Sequence, residues 1–327
     1  MAICLGIEST AHTFGVGIVE DGKVIVNIID SYKTKKGGMI PFKVADHHVD
    51  MCDKVIKKAL NKAKIKLKDI DIIAYSQGPG IGHCLRIGAQ AARTLSLKLK
   101  KPIVPVNHCI AHLEIGSLEK AKDPVLLYAS GANTQIIAYE AGKYRIFGET
   151  LDMGVGNFLD SFARDLKIGF PGGPVIEKLA KKGKKYIEVP YSVKGMDVSF
   201  SGLYTNLKHK INKYKKEDLC YSTQETIFAM LIEVSERAMA HLGKKELLLG
   251  GGVACNSRLQ EMCRIMCKER KAKCFIPKKE FLIDNGAMIA HLGLKKYKAN
   301  PKKNTISIEK SVIKPYERTD DVIVNWR

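Results

Sequence analysis

The stretch that decides the fold is Ile7–Val24, IESTAHTFGVGIVEDGKV, read together with Leu127–Tyr144, LYASGANTQIIAYEAGKY, 120 positions later. Each begins at the end of an apolar run: Ile3 to Ile7 in the first copy, Val125 to Leu127 in the second. A small polar loop follows, Glu8-Ser9-Thr10-Ala11-His12-Thr13 in one and Ala129-Ser130-Gly131-Ala132-Asn133-Thr134 in the other. A second run comes next, Phe14 to Val19 or Gln135 to Tyr139, then a turn of Asx-Gly type or its equivalent. Glu20, Gly22 and Lys23 fall on Glu140, Gly142 and Lys143 without a gap, and a third run closes each copy, Val24 to Ile29 and Tyr144 to Phe147. Turn chemistry between apolar runs reads as a hairpin. The same polar loop in the same place twice reads as an internal duplication.

Outward from the hairpins, helical and strand patterns alternate. Apolar spacing predicts a helix over Ala45–Lys64, a strand over Asp71–Tyr75 and a Gly-Pro-Gly turn entering a helix that runs to Leu97. Another strand is predicted at Ile103–Val106. The second half repeats the theme: a long helix over Ser222–Leu242, a strand at Glu246–Leu249, and Gly250-Gly251-Gly252 leading into a helix over Ser257–Arg270. This is an α/β pattern. Two similar halves would face each other across a cleft, and small-residue loops beside a Gly-rich turn suit a nucleotide held by backbone N–H groups.

Composition bounds the function. The chain has 327 residues, 45% apolar and 27% charged, too apolar for a disordered chain. Lys+Arg number 54 against 34 Asp+Glu, a formal charge of +20, and only 10 of the basic residues are Arg. Such a charge suits a polyanionic partner, and equally a solvated Lys-rich surface. The lysines cluster at Lys33, Lys35 and Lys36, and within 54–68, 178–185, 208–216 and 295–303. Nine cysteines without a CxxC pair read as reduced thiols of an intracellular protein rather than a disulfide framework. No stretch is apolar for the roughly 20 residues a membrane span needs, and MAICLGIEST has no secretory leader pattern. A cytoplasmic, membrane-free protein is expected.

Asn107-His108-Cys109-Ile110-Ala111-His112 places two histidines four apart, on one face if helical, as a metal site needs. Paired helical histidines are also common packing residues. A zincin would carry Glu after the first His, and position 109 is Cys, which disfavours metalloprotease chemistry. A third ligand from elsewhere is required, and Asp284 in Ile283-Asp284-Asn285-Gly286 fits; its alternative role is a helix N-cap. Gly250-Gly251-Gly252-Val253-Ala254-Cys255-Asn256 is not GxGxxG, and no GxxxxGK[ST] occurs. Phe170-Pro171-Gly172-Gly173-Pro174 is a rigid turn into a helix. Glu177, in that helix's first turns, suits ribose hydroxyls or the helix dipole.

Taken in order, GIESTAH, SQGPGIGHCLRIG, NHCIAHLE, YASGANTQI, FPGGPVIEKLA, VSFSGL, LLLGGGVACNSRL and DNGAMIAHLG resemble the universal tRNA threonylcarbamoyladenosine transferase (TsaD) family. That family lies within the actin, sugar kinase and Hsp70 ATPase (ASKHA) superfamily, and the stretches run from residue 6 to about residue 293. GVGNFLDSFAR is similar to the archaeal and eukaryotic branch. The resemblance implies a duplicated actin-like ATPase fold, two lobes around a nucleotide and metal cleft, with an N-terminal lobe over 1–121, a C-terminal lobe over 122–300 and a tail over 301–327. It implies that His108, His112 and Asp284 bind a divalent metal, iron or zinc, with Tyr128 as a further phenolic contact. Ser130, Gly131, Ala132 and Asn133 match the phosphate loop, where Ala132 stands in place of a common Gly, and Tyr128 and Ala129 before it count among the substrate- and nucleotide-binding positions. Asp160, Gly173, Glu177 and Asn256 match nucleoside-binding positions. The implied ligand is an adenine nucleotide, threonylcarbamoyl-AMP or ATP.

The implied reaction moves the threonylcarbamoyl group from threonylcarbamoyl-AMP to the adenosine 3′ of the anticodon in ANN-decoding tRNAs. His12 and Glu8, in the first loop, are the candidates for the catalytic base; loop hydrogen bonding is their alternative. Implied partners are tRNA and the KEOPS subunits, including a small kinase-like ATPase. The polar segment before Val322-Ile323-Val324 and the lack of a stop signal at Arg327 lead to the expectation that the natural chain continues into that kinase. Two rival readings stand: a small-molecule kinase of the same superfamily, which needs no HxxxH pair, and a basic nucleic-acid-binding scaffold without catalysis.

Overall fold

The computed structural model describes residues 2–33 and 40–327. Lys35 and Lys36 of the first lysine cluster lie outside the described residues. The chain forms two compact units, one of Met1–Ile115, Gly142–Tyr144 and Asp284–Arg327, the other of Gly116–Ala141 and Arg145–Ile283.

The first unit is built on β1 (Ile3–Glu8), β2 (Thr13–Glu20) and β3 (Lys23–Ser31), followed by α1 (Pro41–Ala63), β4 (Ile72–Gly78), α2 (Gly82–Leu99), β5 (Ile103–Asn107) and α3 (His108–Glu114). Its sheet runs β3-β2-β1-β4-β5. β1 pairs antiparallel with β2 and parallel with β4, which pairs parallel with β5. The turn at Asp21-Gly22 has positive φ at both residues, as a tight hairpin of this hand needs. α1 starts at Pro41, four residues before the apolar periodicity, because a proline is favoured at the first helical position.

The second unit continues with β6 (Val125–Ala129), β7 (Thr134–Glu140), β8 (Lys143–Glu149), α4 (Val155–Asp165), α5 (Gly172–Ala180), the short ladder β9 (Val193–Lys194) with β10 (Asp197–Val198), α6 (Ser201–Lys210), α7 (Lys216–His241), β11 (Glu246–Gly250), α8 (Ser257–Glu269), β12 (Lys273–Phe275) and α9 (Lys279–Leu282). Its sheet, written β8-β7-β6-β11-β12, repeats the first unit's order of hairpin, parallel strand, parallel strand. The duplication read from the hairpins is therefore a duplication of sheet topology. α7 begins six residues before the predicted Ser222, since Lys216-Glu217-Asp218 adds an acidic first turn that complements the helix dipole. The core of this unit gathers Leu127, Phe158, Phe162, Phe228, Leu231 and Leu247, all buried.

The chain then returns to the first unit through α10 (Gly286–Ala299) and α11 (Pro301–Asn304). This corrects the contiguous division at 121 and 300. The cause is a close approach of backbone to backbone. A Cβ on Gly6 would stand 2.2 Å from the Ala290 nitrogen, and one on Gly17 would stand 2.2 Å from the Ala287 nitrogen. Glycines in β1 and β2 thus let α10 lie directly on the sheet. The opposite face carries Leu5, Ile7, Ile18 and Ile73 in one core with Val55 and Ala59 of α1 and Ala89 of α2. β1 is apolar from Ile3 to Ile7 because both its faces are covered. Nor is 301–327 a loose tail. Ile306 bridges Ile103, the Tyr75 hydroxyl and Gln77 Nε2 donate to the Val312 carbonyl, and Arg93 Nε donates to Ser311 Oγ at 2.8 Å.

Candidate metal centre and nucleotide-loop residues

His108 and His112 do share one face of α3, as the i,i+4 spacing requires, with ring centres 4.8 Å apart. Asn107 starts that helix by accepting the Ile110 N–H on its side-chain oxygen, the ordinary work of an Asn N-cap. Asp284 lies just ahead of α10, and its Oδ1 stands 3.4 Å from His108 Nε2 and 3.5 Å from His112 Nε2. The N-cap role is not Asp284's; Asn285 takes it, accepting the Met288 N–H at 2.9 Å, which leaves the neighbouring carboxylate to the histidines.

The ligand atoms of His108, His112 and Asp284 all lie within 4.8 Å of one another. Two imidazole nitrogens and one carboxylate oxygen suit iron or zinc, and three protein ligands leave positions open for substrate. All three belong to the first unit, so the set does not depend on how the units are arranged. Burial would push the Asp284 carboxyl up, but the two imidazoles outweigh it and hold it well below the usual carboxylate range. Burial pushes His112 down, towards the neutral form that can ligate.

Glu8, fully buried at the end of β1, completes the arrangement from behind. Its Oε2 is 2.9 Å from His108 Nδ1, and its Oε1 accepts the Thr10 N–H at 2.6 Å and the Thr10 hydroxyl at 2.5 Å. A carboxylate on Nδ1 holds the proton there and turns the Nε2 lone pair towards Asp284 and a metal. Glu8 and Asp284 put two carboxylates on opposite sides of His108, a charge that a divalent cation would balance. His12, half-buried, lies in the same β1–β2 loop, where its carbonyl accepts the Tyr32 N–H.

The remaining predicted residues belong to the second unit. Ser130 and Asn133 close the β6–β7 loop on themselves: Ser130 N–H donates to the Asn133 carbonyl at 2.8 Å, and Asn133 N–H to Ser130 Oγ at 3.2 Å. The carbonyls of Ser130 and Gly131 accept N–H groups of Gly156 and Asn157, fixing the loop on the N-terminus of α4. Gly251 has φ +90°, and a Cβ there would stand 2.3 Å from the Ala129 oxygen and 3.0 Å from the Ser130 nitrogen. The Gly-rich turn is thus glycine partly because it abuts this loop. Tyr128 is buried in β6, directly before it.

Asp160 accepts the Gly172 N–H at 2.7 Å and so starts α5, while a Cβ on Gly173, next along, would meet only the Leu159 side chain at 4.0 Å. Glu177 reaches from α5 to the start of α8, where Oε1 accepts the Ser257 N–H at 3.1 Å and its hydroxyl at 2.5 Å. It therefore serves a helix dipole, though that of α8 rather than of its own helix. Asn256 caps α8 with Oδ1 and donates from Nδ2 to Gln224 at 2.9 Å. The N-termini of α4, α5 and α8 thus each hold one of the predicted positions or a loop carbonyl, the kind of end that favours anions. Sequence reasoning missed the roles of Thr10, Asn107 and Ser257; an Asn immediately ahead of α3 was the available signal for Asn107.

A family model described as TsaD, tRNA N6-adenosine threonylcarbamoyltransferase, matches residues 23–291. The chain belongs to the TsaD family. It is similar to a tRNA N6-adenosine threonylcarbamoyltransferase of Thermococcus sibiricus, with 56% identity over 99% of this chain and 100% of the relative. It is 54% identical to a probable bifunctional tRNA threonylcarbamoyladenosine biosynthesis protein of Methanosarcina mazei, over 98% of this chain but 59% of that one. Among solved structures, full-length HypF in its phosphate- and nucleotide-bound form aligns with TM-score 0.64 and 11% identity, over 91% of this chain and 56% of that chain. That likeness bears on fold alone and agrees with the actin-like, duplicated α/β architecture of the TsaD family.

Proposed function

We propose that this chain transfers a threonylcarbamoyl group from threonylcarbamoyl-AMP to the N6 of the adenosine 3′ of the anticodon in ANN-decoding tRNAs. The observation that carries the reading is the 56% identity to a tRNA N6-adenosine threonylcarbamoyltransferase across the full length of that relative. In the reaction the adenosine N6 attacks the carbamoyl carbon, the bond from that carbon to the AMP phosphate oxygen breaks, AMP leaves, and N6 gives up a proton. His108, His112 and Asp284 would hold one iron or zinc ion. When bound, such a metal supplies Lewis acidity towards the threonylcarbamoyl oxygens.

The residues of the chain account for the rest. The 129–133 loop amides would receive the adenylate phosphate, and Asp160, Gly173, Glu177 and Asn256 its nucleoside. Glu8 is committed to Thr10 and His108, so its arrangement supports a positioning role; His12 remains for the proton from N6. The +20 charge supports tRNA as the polyanionic substrate. The bifunctional relative, in which the matching part is 59% of the length, supports a functional link to a second activity such as the kinase-like ATPase of KEOPS. No helix among the described residues is long and apolar enough to cross a membrane, and a cytoplasmic place is part of the proposal.

The experiment is to incubate the purified protein with threonylcarbamoyl-AMP and tRNA, then analyse the tRNA nucleosides by mass spectrometry and the protein's metal by elemental analysis. We expect modified adenosine with the wild type and neither modification nor metal with His108→Ala. Unmodified tRNA with metal-loaded wild type would sink the transferase reading. Full activity of His108→Ala would sink the metal's role.

A further inference from the structure

α3 carries two of the three metal-ligating residues on only seven residues, too short a helix to hold its own orientation. Both of its ends are gripped by residues from the far end of the chain, all within the first unit. At the N-terminal end, the Asn107 cap donates from Nδ2 to Glu317 Oε2 at 3.1 Å. At the C-terminal end stands Glu114, a carboxylate only 2% exposed, two residues past His112.

Glu114 is held by four donors. Lys295 Nζ reaches Oε2 at 2.6 Å, while Oε1 takes the Trp326 indole N–H at 3.0 Å and Arg327 Nε at 3.4 Å, together with the Tyr144 hydroxyl. Trp326 is itself buried; its ring stacks on Tyr144 at 6.5 Å, and Lys296 Nζ sits 5.3 Å from the ring centre. Lys295 has a second meaning. It lies on α10, the helix that Asp284 precedes. The two segments bearing the three ligands are therefore tied at one end by Glu114 and Lys295, and at the other by the ligand set itself.

We propose that Glu317, Trp326 and Arg327 form a positioning brace, which holds α3 so that His108 and His112 face Asp284 at metal-binding distance. Surface pairing alone would not require this. A carboxylate taken almost wholly out of water must be repaid by well-placed donors, and removing them leaves a buried charge uncompensated. The least costly relief is a shift of α3, which moves the imidazoles. The brace touches neither metal nor substrate, so its effect is on the geometry of the ligand set, as outer hydrogen bonds act in metal proteins generally.

The inference rests on the reading of His108, His112 and Asp284 as a metal site, and the test separates the two. The full chain is stripped of metal, and Zn2+ is titrated against a chromophoric chelator. The proteins compared are the wild type, His108→Ala, Glu317→Gln, Trp326→Phe and the double variant Trp326→Ala with Arg327→Ala. Unfolding of each metal-free protein is followed in parallel. We expect the double variant to bind zinc about tenfold more weakly while still folded, within the range seen for outer-sphere changes. Glu317→Gln and Trp326→Phe, which keep shape and ring, should shift affinity the same way by less; they carry the test if the double variant fails to fold. Lower unfolding temperatures with unchanged zinc affinity would overturn the brace. Equal zinc binding by wild type and His108→Ala would instead overturn the site itself.

Discussion

Glu8 and His108, 100 residues apart in sequence, meet at 2.9 Å in the interior of the first unit, with the carboxylate oxygen on Nδ1. The contact decides which imidazole nitrogen faces Asp284. It also converts a hairpin-end residue, whose partner Thr10 follows it in the chain, into a support for a helix that comes much later. Glu8→Ala should lower zinc affinity by about 10- to 100-fold, the usual effect of removing a ligand's outer partner. A chelator-competition titration measures this, and Glu8→Gln, which keeps an oxygen but not the charge, should fall between. Wild-type affinity in Glu8→Ala would show that the contact is packing only.

The seat of α10 gives a second prediction. A methyl group on Gly17 would have to enter the backbone of Ala287 and Gly286, at 2.2 to 2.4 Å. No side-chain rotation relieves a clash with main chain. Gly17→Ala should destabilise the first unit by about 3 kcal/mol, the upper end for overpacking, read as a shift in the denaturation midpoint. Gly22→Ala offers a contrast: its Cβ would meet nothing within 4 Å, and the cost comes from φ +91° alone.

These two contacts also show what was legible in the sequence. The hairpins, the parallel strands after them and the i,i+4 histidine pair all depend on local periodicity and turn chemistry, and each is where the pattern put it. The return of 284–327 to the first unit was not legible, because Gly6, Gly17 and Gly286 signal a close approach without saying what approaches. The same holds for Glu114, whose partners Lys295, Trp326 and Arg327 lie about two hundred residues on. Asp284 was read as the opening of a helix, with capping as its alternative role, but periodicity could not say that the next residue, Asn285, would cap and leave Asp284 to the histidines.

In the second unit, Asp152 predicts a pH dependence. Burial would push its carboxyl up, but N–H groups of Phe200 and Ser201 and the Ser199 hydroxyl outweigh that and hold it far below 3.8. Its folded pKa is below its unfolded one, so the unfolded chain binds more protons as pH falls from about 3.8. The stability it contributes is present above that pH and is lost as pH drops towards the folded value. Asp152→Ala should cost roughly 1 kcal/mol near neutral pH, as for loss of a helix cap, and flatten the acid limb of the stability curve. An unchanged acid limb in chemical denaturation at pH 2 to 5 would contradict this.

If tRNA is the partner of the excess lysines, binding must be strongly salt-dependent, because each neutralised phosphate releases counterions. With about four phosphate contacts, affinity should drop on the order of a hundredfold between 50 and 200 mM salt. Filter binding or fluorescence anisotropy at several salt concentrations gives the slope. Charge reversal within 208–216, where Lys208, Lys210, Lys213, Lys215 and Lys216 crowd together, should reduce that slope if this cluster is used. A flat salt profile would return the lysines to the role of a solvated surface.

The last prediction separates the two sets of predicted residues. The Ser130–Asn133 loop is pinned to α4 by Gly156 N–H on the Ser130 carbonyl at 3.0 Å and Asn157 N–H on Gly131 at 2.9 Å. A Cβ at Gly156 would stand 2.7 Å from Gly131 Cα and 2.8 Å from the Ser130 oxygen, both main chain. Gly156→Ala must therefore push the loop out of place. If its amides receive the adenylate phosphate, AMP binding measured by calorimetry should weaken by at least about tenfold, equal to about 1.4 kcal/mol. Zinc affinity should not move, since His108, His112 and Asp284 all belong to the other unit. Loss of nucleotide and zinc together would indicate general unfolding, and loss of neither would remove this loop from the phosphate site.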